Sequence, residues 1–350
     1  MCVFSSASFD QHELVAFTED AKSGLRAIIA VHNSSLGPAV GGCRMYPYAN
    51  DADALEDVLR LSRGMTYKSA LAGLPMGGGK AVIIGDPATL KTPELLQAMG
   101  RFIDQQGGKY ITAEDSGTCV ADLKIMSSQT KFVTGINEAQ SFGGDPSPLT
   151  AYGVYCGIKS ALQFARGDAQ LKQVSVAVQG AGAVGRYLIK HLIDDGAQVY
   201  VADIKADNLR KAVELGATAM STDEILAADV DILAPCAMGA VLNSQSIPKL
   251  RASIVAGAAN NQLATIEDGA LLQQRGILYA PDFVISAGGI IEIFHQNSGT
   301  MERSREHIAK IGDTLTQIFE QSTAQQLPTV RVAEQMAESL FEKAAVSNAA

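Results

Sequence analysis

Two lysines and a run of glycines form the first group of residues that could carry out chemistry. Residues 75–80 read PMGGGK, so Lys80 directly follows three glycines, and Lys68 precedes them in the chain. Glycine lets another group approach the backbone closely. A protonated lysine binds a carboxylate, and a lysine that has lost its proton acts as a general base. The pair therefore suits an anionic substrate, although two surface charges are the alternative, because lysine is usually exposed.

A carboxylate follows the next predicted strand, which covers residues 109–112. In an open α/β sheet the carboxyl ends of the strands face the ligand crevice, and Asp115 lies just beyond this strand. We therefore expect Asp115 to carry protons to and from a substrate. Glu114 competes for this role on composition alone, and an N-cap of the helix near Val120 is the structural alternative for Asp115.

A glycine fingerprint predicts a dinucleotide site in the second half of the chain. Residues 180–185 read GAGAVG, directly after a predicted strand and at the start of a predicted helix. The first glycine permits a tight turn, the second lets a pyrophosphate approach, and the third lets helix and strand pack closely. The helix N-terminus adds free N–H groups and partial positive charge. The expected cofactor contacts are Gly180, Gly182, Ala183, Val184 and Gly185.

An acidic residue at the end of the next predicted strand, residues 198–202, indicates which dinucleotide binds. At this position the carboxylate of Asp203 accepts a hydrogen bond from the ribose 2′-hydroxyl and repels a 2′-phosphate. We therefore expect NAD, with Asp203 and Ile204 as contacts. Lys205 leaves NADP open, and a helix cap is the alternative for Asp203 that involves no ligand.

The pattern of apolar residues predicts the elements that must position these groups. Strand-like runs alternate with helical periods over residues 25–134 and again over residues 174–280. The first stretch includes a predicted helix from Asp51 to about Met65 and a predicted strand over residues 81–84. This alternation predicts an α/β protein: two open-sheet α/β domains around a cleft, each with a largely parallel sheet, the second a Rossmann dinucleotide-binding domain.

The domain boundaries follow from composition and from the last helix. Residues 143–148 read GGDPSP, which predicts a hinge. We expect a substrate-binding domain over residues 1–140, to which the family resemblance described below adds oligomerisation, and the NAD-binding domain over residues 141–324. Residues 325–350 are expected to pack back on the first domain, because a terminal helix with one apolar face needs a partner. That predicted face consists of Val332, Met336, Leu340 and Phe341.

Composition excludes several classes of protein. Hydrophobic residues make up 47% of the 350 residues, the net charge is −9, and no Lys/Arg-rich run occurs, so we expect neither a nucleic-acid nor a membrane partner. No apolar run is long enough to span a bilayer, and the first ten residues lack the pattern of a signal peptide. The five cysteines form no Cys-x-x-Cys pair. We expect a cytoplasmic protein with reduced thiols, a small-molecule substrate and no metal.

Six segments resemble the glutamate/leucine/phenylalanine/valine dehydrogenase family, and within it the leucine dehydrogenases. They occur in unchanged order between Leu25 and Asn297, and such long motifs make the resemblance specific. The resemblance favours active-site lysines over surface lysines, and it implies a homo-oligomer. It also has departures: Cys43 replaces an expected threonine, and Ser286 and Glu292 replace expected asparagines. The segments are residues 37–44, 64–68, 75–80, 113–115, 146–150 and 257–262.

The resemblance also implies roles for individual residues. Lys68 would bind the substrate α-carboxylate, Lys80 would activate the attacking water, and Asp115 would exchange protons with the amino group. Thr150 would meet the nicotinamide carboxamide, and Asn261 would lie where the nicotinamide ribose meets the substrate. The further expected cofactor contacts are Cys236 and Asn260, and the expected substrate contacts besides Lys68 are Val40, Gly42, Met65, Ala113, Ile290 and Ile293.

These roles imply the reversible oxidative deamination of an L-amino acid to its 2-oxo acid and ammonia. The expected side-chain contacts are uncharged, which disfavours glutamate, because its second carboxylate would be buried without a partner. We expect leucine, valine or isoleucine, with soft discrimination among them. An aromatic substrate is the alternative, since Phe294 or a shifted helix could reshape the pocket.

Two alternatives from other functional classes remain. An NAD-binding subunit without catalysis would keep the fingerprint but have no need of Lys68, Lys80 and Asp115 together. A 2-hydroxy-acid dehydrogenase would need a histidine paired with a carboxylate, and no histidine lies at a convincing strand end.

Overall fold

A computed structural model describes residues 3–136, 145–237, 239–296 and 299–349. The chain divides into two compact units, and each has its own sheet. The first unit comprises Met1–Gly144 and Ala337–Ala350, and the second comprises Asp145–Met336. The predicted hinge at residues 143–148 begins in a segment that lies outside the described residues.

The first unit contains a five-stranded mixed sheet in the order β1-β2-β4-β3-β5. β3 runs parallel to β4 and β5, whereas β2 runs antiparallel to β1 and β4. The elements are β1 (Leu14–Asp20), β2 (Leu25–Asn33), β3 (Ala39–Tyr46), α1 (Asp51–Leu71), β4 (Gly77–Ile84), α2 (Pro93–Asp104), β5 (Tyr110–Ala113) and α3 (Val120–Ser127).

The expectation of a largely parallel sheet is wrong for this unit. β1 and β2 are joined by a short turn rather than a helix, and a short turn reverses the chain. Gly24 in that turn has a φ of 75°, a conformation that glycine adopts without a steric cost. The strand β1 was not predicted: its sequence, LVAFTED, has four apolar residues followed by three polar ones rather than a strict alternation, and none of its residues is fully buried.

Helices cover both faces of the first sheet. α1 packs on one face, where Ile28, Val58 and Val82 share a buried cluster. α2 and α3 contribute Met99 and Leu123 to the larger cluster on the opposite face. Burial on both faces explains why β2 and β4 are apolar or glycine over most of their length.

Helix α1 is longer than predicted. The side chain of Asn50 caps its start by accepting a hydrogen bond from the Asp53 N–H, and the helix continues past the predicted end at Met65 to Leu71. Lys68 therefore lies in the last helical turn.

The three glycines of the first cluster lie inside strand β4. A Cβ on Gly78 would come within 2.0 Å of the Thr66 nitrogen in α1, and a Cβ on Gly79 would come within 2.7 Å of the Tyr110 ring. The groups that approach this backbone closely are therefore the protein's own helix and ring. The predicted strand over residues 81–84 is shorter than β4. Glycine is depleted in strands, so the glycines of the first half of β4 gave no strand pattern.

The second unit is built on a six-stranded parallel sheet in the order β11-β10-β9-β6-β7-β8. Its elements are α4 (Ser147–Arg166), β6 (Ser175–Gln179), α5 (Ala183–Asp194), β7 (Gln198–Ala202), α6 (Ala206–Glu214), β8 (Thr218–Ala219), β9 (Ile232–Pro235), β10 (Ile254–Val255), α7 (Asp268–Gln274), β11 (Leu278–Tyr279), α8 (Asp282–Ile285), α9 (Gly288–His295) and α10 (Met301–Gln325). The predicted second α/β unit is confirmed.

The last helix, α11 (Thr329–Ala349), begins in the second unit and joins the first at Ala337. In the first unit, Phe341 packs against the rings of Tyr67 and His32, and Tyr67 donates a hydrogen bond to Glu338. The predicted apolar face is only partly correct, because Leu340 is 43% exposed.

Neither a membrane span nor a metal site is found among the residues that the structure describes. None of their helices is both long and apolar enough to cross a bilayer. They also contain no group of His, Cys, Asp and Glu side chains that could hold a metal ion.

Candidate active site

Lys80 and Asp115 meet across three neighbouring strands of the first sheet. Lys80 lies within β4, β4 pairs with β3, and β3 pairs with β5, which Asp115 follows. The Lys80 ammonium contacts the Asp115 carboxylate, and the two side chains expose only 9% and 13% of their surface. Lys80 is therefore not the surface charge of the alternative interpretation.

The charges around Asp115 favour its ionised form. Burial alone would raise the pKa of Asp115, but Lys80 and Arg44 outweigh burial and lower it to about 2. Its Oδ1 atom also accepts a hydrogen bond of 2.6 Å from the Ser116 N–H. The carboxylate is thus ionised at neutral pH.

The N-cap alternative for Asp115 is wrong. The N-cap of α3 is Cys119, whose N–H donates to Asp122 at 2.9 Å in a capping box. Asp115 is consequently not needed to start this helix.

Glycine on β3 makes room for the carboxylate. Gly42 pairs with Ala113, and a Cβ on Gly42 would come within 2.6 Å of the Asp115 Cβ. A side chain at this position would force Asp115 away from Lys80. The expected role of Gly42 in lining the substrate stays a prediction, while its role in the spacing of the site is visible.

The other predicted substrate residues of the first unit lie on adjacent elements. Val40 on β3 and Ala113 on β5 are each 3% exposed, and Met65 on α1 is partly buried beside Gly41. Lys68 is partly exposed in the last turn of the same helix. Apolar side chains thus border the elements that carry Lys80 and Asp115.

The glycine fingerprint has the geometry of a phosphate-binding turn. Gly180 directly follows the strand β6 and has a φ of 99°, and a Cβ on Gly185 would come within 2.1 Å of the Gly180 oxygen. The position of a Cβ on Gly182 is open, with no neighbouring heavy atom within 4 Å. Helix α5 begins at Ala183, so its N-terminal N–H groups border this open space. Val184 lies in the same first turn.

Asp203 is tied to the fingerprint itself. Its Oδ2 atom accepts a hydrogen bond of 2.7 Å from the Ala181 N–H and one of 3.3 Å from the Asn208 amide, while its Oδ1 atom accepts one from the Lys205 N–H. Ile204 beside it is 89% exposed. Asp203 therefore both fixes the loop and presents a carboxylate at the end of β7.

The remaining predicted cofactor residues lie on loops and helices of the second unit. Cys236 follows β9, and its N–H donates to the Gln179 oxygen at 2.7 Å. Asn260 is exposed, and Asn261 adopts a φ of 51° while its oxygen accepts a hydrogen bond from the Ala240 N–H. Each lies in a segment that follows a strand of the parallel sheet.

Helix α9 brings the last predicted residues of the second unit together. A Cβ on Gly289 would come within 2.9 Å of the Thr150 hydroxyl, so α9 packs closely on the first turn of α4. Ile290 is 6% exposed on this helix, and Ile293 is partly buried one turn later.

The departures at residues 43, 286 and 292 concern buried positions. Cys43 belongs to the core cluster that α2 and α3 cover, and burial raises the pKa of its thiol. Ser286 donates a hydrogen bond of 2.6 Å to the Asp282 oxygen, and Glu292 is 3% exposed in α9.

Three residues near Asp115 had no predicted role. Arg44 lies 3.7 Å from Asp115, Tyr110 donates a hydrogen bond to the Gly41 oxygen, and Thr118 donates one to the Cys43 oxygen. These bonds hold β3 beside the segment that carries Asp115. The sequence signal for Arg44 was its place in the family-like segment of residues 37–44, but β3 itself was not predicted as a strand.

Comparison with known proteins identifies the family. The model of the Glu/Leu/Phe/Val dehydrogenase dimerisation domain matches residues 12–132, and the Glutamate/Leucine/Phenylalanine/Valine dehydrogenase model matches residues 145–206 and 201–348. The chain belongs to this dehydrogenase family. The resemblance inferred from the six segments is confirmed, and so is the predicted fold class, with a dinucleotide-binding domain in the second unit.

Individual members of the family align with the chain over nearly its full length. The leucine dehydrogenase of Thermoactinomyces intermedius is 46% identical over 98% of this chain and 94% of its own. The valine dehydrogenase of Streptomyces albus is 44% identical over 95% and 93%. The solved structure of L-tryptophan dehydrogenase from Nostoc punctiforme has a TM-score of 0.79 and 43% identity, and covers 95% of this chain and 97% of its own. The chain is thus an amino-acid dehydrogenase, an oxidoreductase of a generally NAD(P)-dependent family.

Proposed function

We propose that this dehydrogenase catalyses the reversible, NAD-dependent oxidative deamination of leucine, valine or isoleucine to the 2-oxo acid and ammonia. The observation that carries the proposal is the enclosed contact of Lys80 with Asp115 beside the uncharged side chains of Val40 and Ala113. An NAD-binding subunit without catalysis would have no use for an enclosed lysine–carboxylate pair, since burying such a pair costs desolvation free energy.

The residues of the first unit divide the work of the proposed reaction. Lys68 holds the substrate carboxylate, and ionised Asp115 accepts a proton from the α-ammonium group. Bound NAD supplies the acceptor for the hydride that leaves the substrate Cα. Lys80 in its neutral form then directs water to the resulting iminium carbon and takes up its proton. Ammonia leaves, and the proton on Lys80 passes to solvent. The balance is one amino acid, NAD⁺ and water consumed, with the 2-oxo acid, NADH, ammonium and one proton formed.

Two features of the second unit support NAD as the cofactor. The open position at Gly182 leaves room for a pyrophosphate beside the first turn of α5. The carboxylate of Asp203 suits a ribose 2′-hydroxyl and opposes a 2′-phosphate. Asp203 already accepts hydrogen bonds from Ala181 and Asn208, so its orientation is fixed before any ligand binds.

A panel of L-amino acids, assayed with NAD at alkaline pH, tests the proposed substrate class. We predict that leucine, valine and isoleucine react well above phenylalanine and that glutamate does not react, since an apolar pocket has no partner for a second carboxylate. The change Ala113→Gly should raise the relative activity on phenylalanine, because it enlarges the space beside β5. Activity on glutamate alone would contradict the assignment of Val40 to the pocket.

A second candidate substrate class is aromatic. It is favoured by the 43% identity to the L-tryptophan dehydrogenase of Nostoc punctiforme over 95% of the chain. A preference for tryptophan or phenylalanine in the same panel would establish this candidate and would show that the pocket is larger than the side chains at positions 40 and 113 indicate.

We also propose a homo-oligomer in the cytoplasm. The match of residues 12–132 to a model named for dimerisation supports self-association, and so does Phe17, which is 56% exposed on the edge strand β1. Sedimentation at the mass of a monomer under assay conditions would contradict it. The free thiols of Cys43, Cys119, Cys156 and Cys236 agree with a reducing compartment.

A further inference from the structure

A chain of alternating charges runs from the surface of the first unit to Lys80. Tyr48 donates a hydrogen bond of 2.5 Å to Asp57 in α1, and Asp57 accepts another, of 2.9 Å, from the Nη1 atom of Arg44. The Nη2 atom of Arg44 lies 3.7 Å from the Oδ1 atom of Asp115, which contacts Lys80 through Oδ2. The side chains of Arg44 and Asp57 expose only 19% and 24% of their surface.

We propose that Arg44, braced by Asp57, is a positioning residue that keeps Asp115 directed at Lys80 and ionised whenever it must accept a proton. This inference rests on the proposed oxidative deamination. It assigns to Arg44 and Asp57 a role in that reaction, although neither is expected to touch the substrate.

Asp115 has two positively charged neighbours, Lys80 and Arg44. The proposed mechanism moves protons on and off Lys80, so the charge of Lys80 changes during the cycle. An arginine remains protonated at all working pH values. Without Arg44, a neutral Lys80 would leave Asp115 as an enclosed carboxylate with no countercharge, and such a group takes up a proton instead. Arg44 supplies the positive charge that does not change.

Arg44 and Lys80 together fix the orientation of the Asp115 carboxylate. The two oxygens of Asp115 are divided between partners, with Oδ1 toward Arg44 and the Ser116 N–H, and Oδ2 toward Lys80. The planar fork of a guanidinium can meet two carboxylates at once, which the point charge of a lysine cannot do as well.

The orientation of the Arg44 side chain is unfavourable for one of its own donors. The Nε atom of Arg44 is buried and has no hydrogen-bond partner within the part of the chain that the structure describes. An unsatisfied buried donor is unfavourable. The side chain therefore lies where its two Nη atoms face Asp57 and Asp115, although its Nε–H gains no hydrogen bond within the described part of the chain.

Steady-state kinetics of two Arg44 variants test the proposal. We predict that Arg44→Met lowers kcat for leucine by about 10- to 100-fold, less than the full 10²–10⁴-fold that a general base typically contributes, because Asp115 is misplaced rather than removed. Arg44→Lys should recover part of the loss, because the charge returns without the fork. KM for NAD and NADH binding should not change. Equal losses in both variants, or none, would overturn the proposal.

The matched control is Arg26→Met. Arg26 lies on β2 and bridges to Asp51 at the start of α1, as Arg44 bridges from β3 to Asp57, but it does not approach Asp115. We expect its kinetics to equal those of the unchanged protein. A loss in Arg26→Met equal to that in Arg44→Met would show that tying a strand to α1, rather than aligning Asp115, is what matters.

Two double-mutant cycles separate alignment from general damage. In single-turnover measurements with enzyme in excess, Arg44→Met should cost little further rate once Asp115→Asn is present, because both changes act on one group. Asp57→Asn should likewise add little to Arg44→Met. Multiplicative losses in both cycles would refute the inference. Absence of deamination by the unchanged protein would instead refute the proposed function, so the two failures are distinguishable.

Discussion

At the scale of single residues, the site pairs an enclosed lysine with a carboxylate that stays ionised. Lys80 lies within β4, whereas Lys68, the proposed ligand of the substrate carboxylate, lies in the last turn of α1. Lys80 is in direct contact with Asp115, whereas Lys68 is more exposed. A lysine that moves protons and a lysine that binds the substrate should therefore give different kinetic defects on removal.

We predict that Lys80→Ala lowers kcat by at least about 10²–10⁴-fold, because a general base and the delivery of water are lost together. Lys68→Ala should mainly raise KM for the amino acid, because it removes a binding contact. NADH binding, followed by fluorescence, should be unchanged in both variants. Near-normal kinetics in either variant would show that its assignment is wrong.

At this scale the sequence reveals the groups with distinctive chemistry but not the residues that support them. Asp115 was predicted as a proton carrier from its place after a strand, and it lies against Lys80. Arg44 could not be assigned, because its partners Asp57 and Asp115 are distant in the chain. Only the pairing of β3 with β4 and β5 brings these charges together.

At the scale of elements, strand β2 places a histidine against α1. His32 follows Ile28 and Ala30 at alternate positions and faces α1 as they do, and a β-bulge beside it shifts the pairing of β2 with β4 between Val31 and Asn33. There His32 Nδ1 lies 2.9 Å from the Thr66 hydroxyl, and Thr66 is the residue that packs on Gly78. His12 lies beside it, with the two rings 5.0 Å apart.

The two histidines make the stability of the first unit depend on pH. Burial, together with the neighbouring His12, lowers the pKa of His32 to about 4, and burial lowers the pKa of His12 as well. Asp10 and Arg63 also face this pair, and their charges oppose each other. In the unfolded chain a histidine has a pKa of about 6.5, so the unfolded state binds more protons between these values and stability falls as the pH falls.

We predict that the free energy of unfolding of the first unit drops by on the order of 2 kcal/mol between pH 7.5 and pH 5 through His32 alone. Denaturant titrations, read out by hydrogen exchange of residues 25–33, measure the slope. His32→Gln should lower stability at pH 7.5 but flatten the dependence on pH. An unchanged slope in this variant would assign the acid sensitivity to other groups.

Element boundaries were predictable where local pattern and tertiary packing agree. The strand over residues 198–202 was predicted with the bounds of β7, because it is an apolar run between turns. The first half of β4 was missed because its glycines serve the approach of α1 and Tyr110, which no local rule reveals. The bulge at His32 likewise could not be predicted, because it depends on the pairing of β2 with β4.

At the scale of the whole molecule, two units with separate cores respond to different variables. Acid acts on the first unit through His12 and His32, whereas a dinucleotide should act on the second through the fingerprint and Asp203. Ligand that binds only the folded state raises its stability in proportion to the logarithm of ligand excess. The cofactor preference is therefore measurable without turnover.

We predict that NADH at 100 times its Kd stabilises the second unit by about 2.7 kcal/mol and slows hydrogen exchange in β6, α5 and β7. NADPH at the same concentration should stabilise the second unit less, because Asp203 opposes a 2′-phosphate. In turnover, kcat/KM with NAD should exceed kcat/KM with NADP at least about tenfold, or roughly 1.4 kcal/mol. Asp203→Ser should narrow both gaps, although it also removes the hydrogen bond to the Ala181 N–H and so weakens the loop. Lys80→Ala, which changes only the first unit, is the control and should keep the full stabilisation. Equal protection by NADH and NADPH in the unchanged protein would contradict the role of Asp203 while leaving the amino-acid dehydrogenase assignment intact.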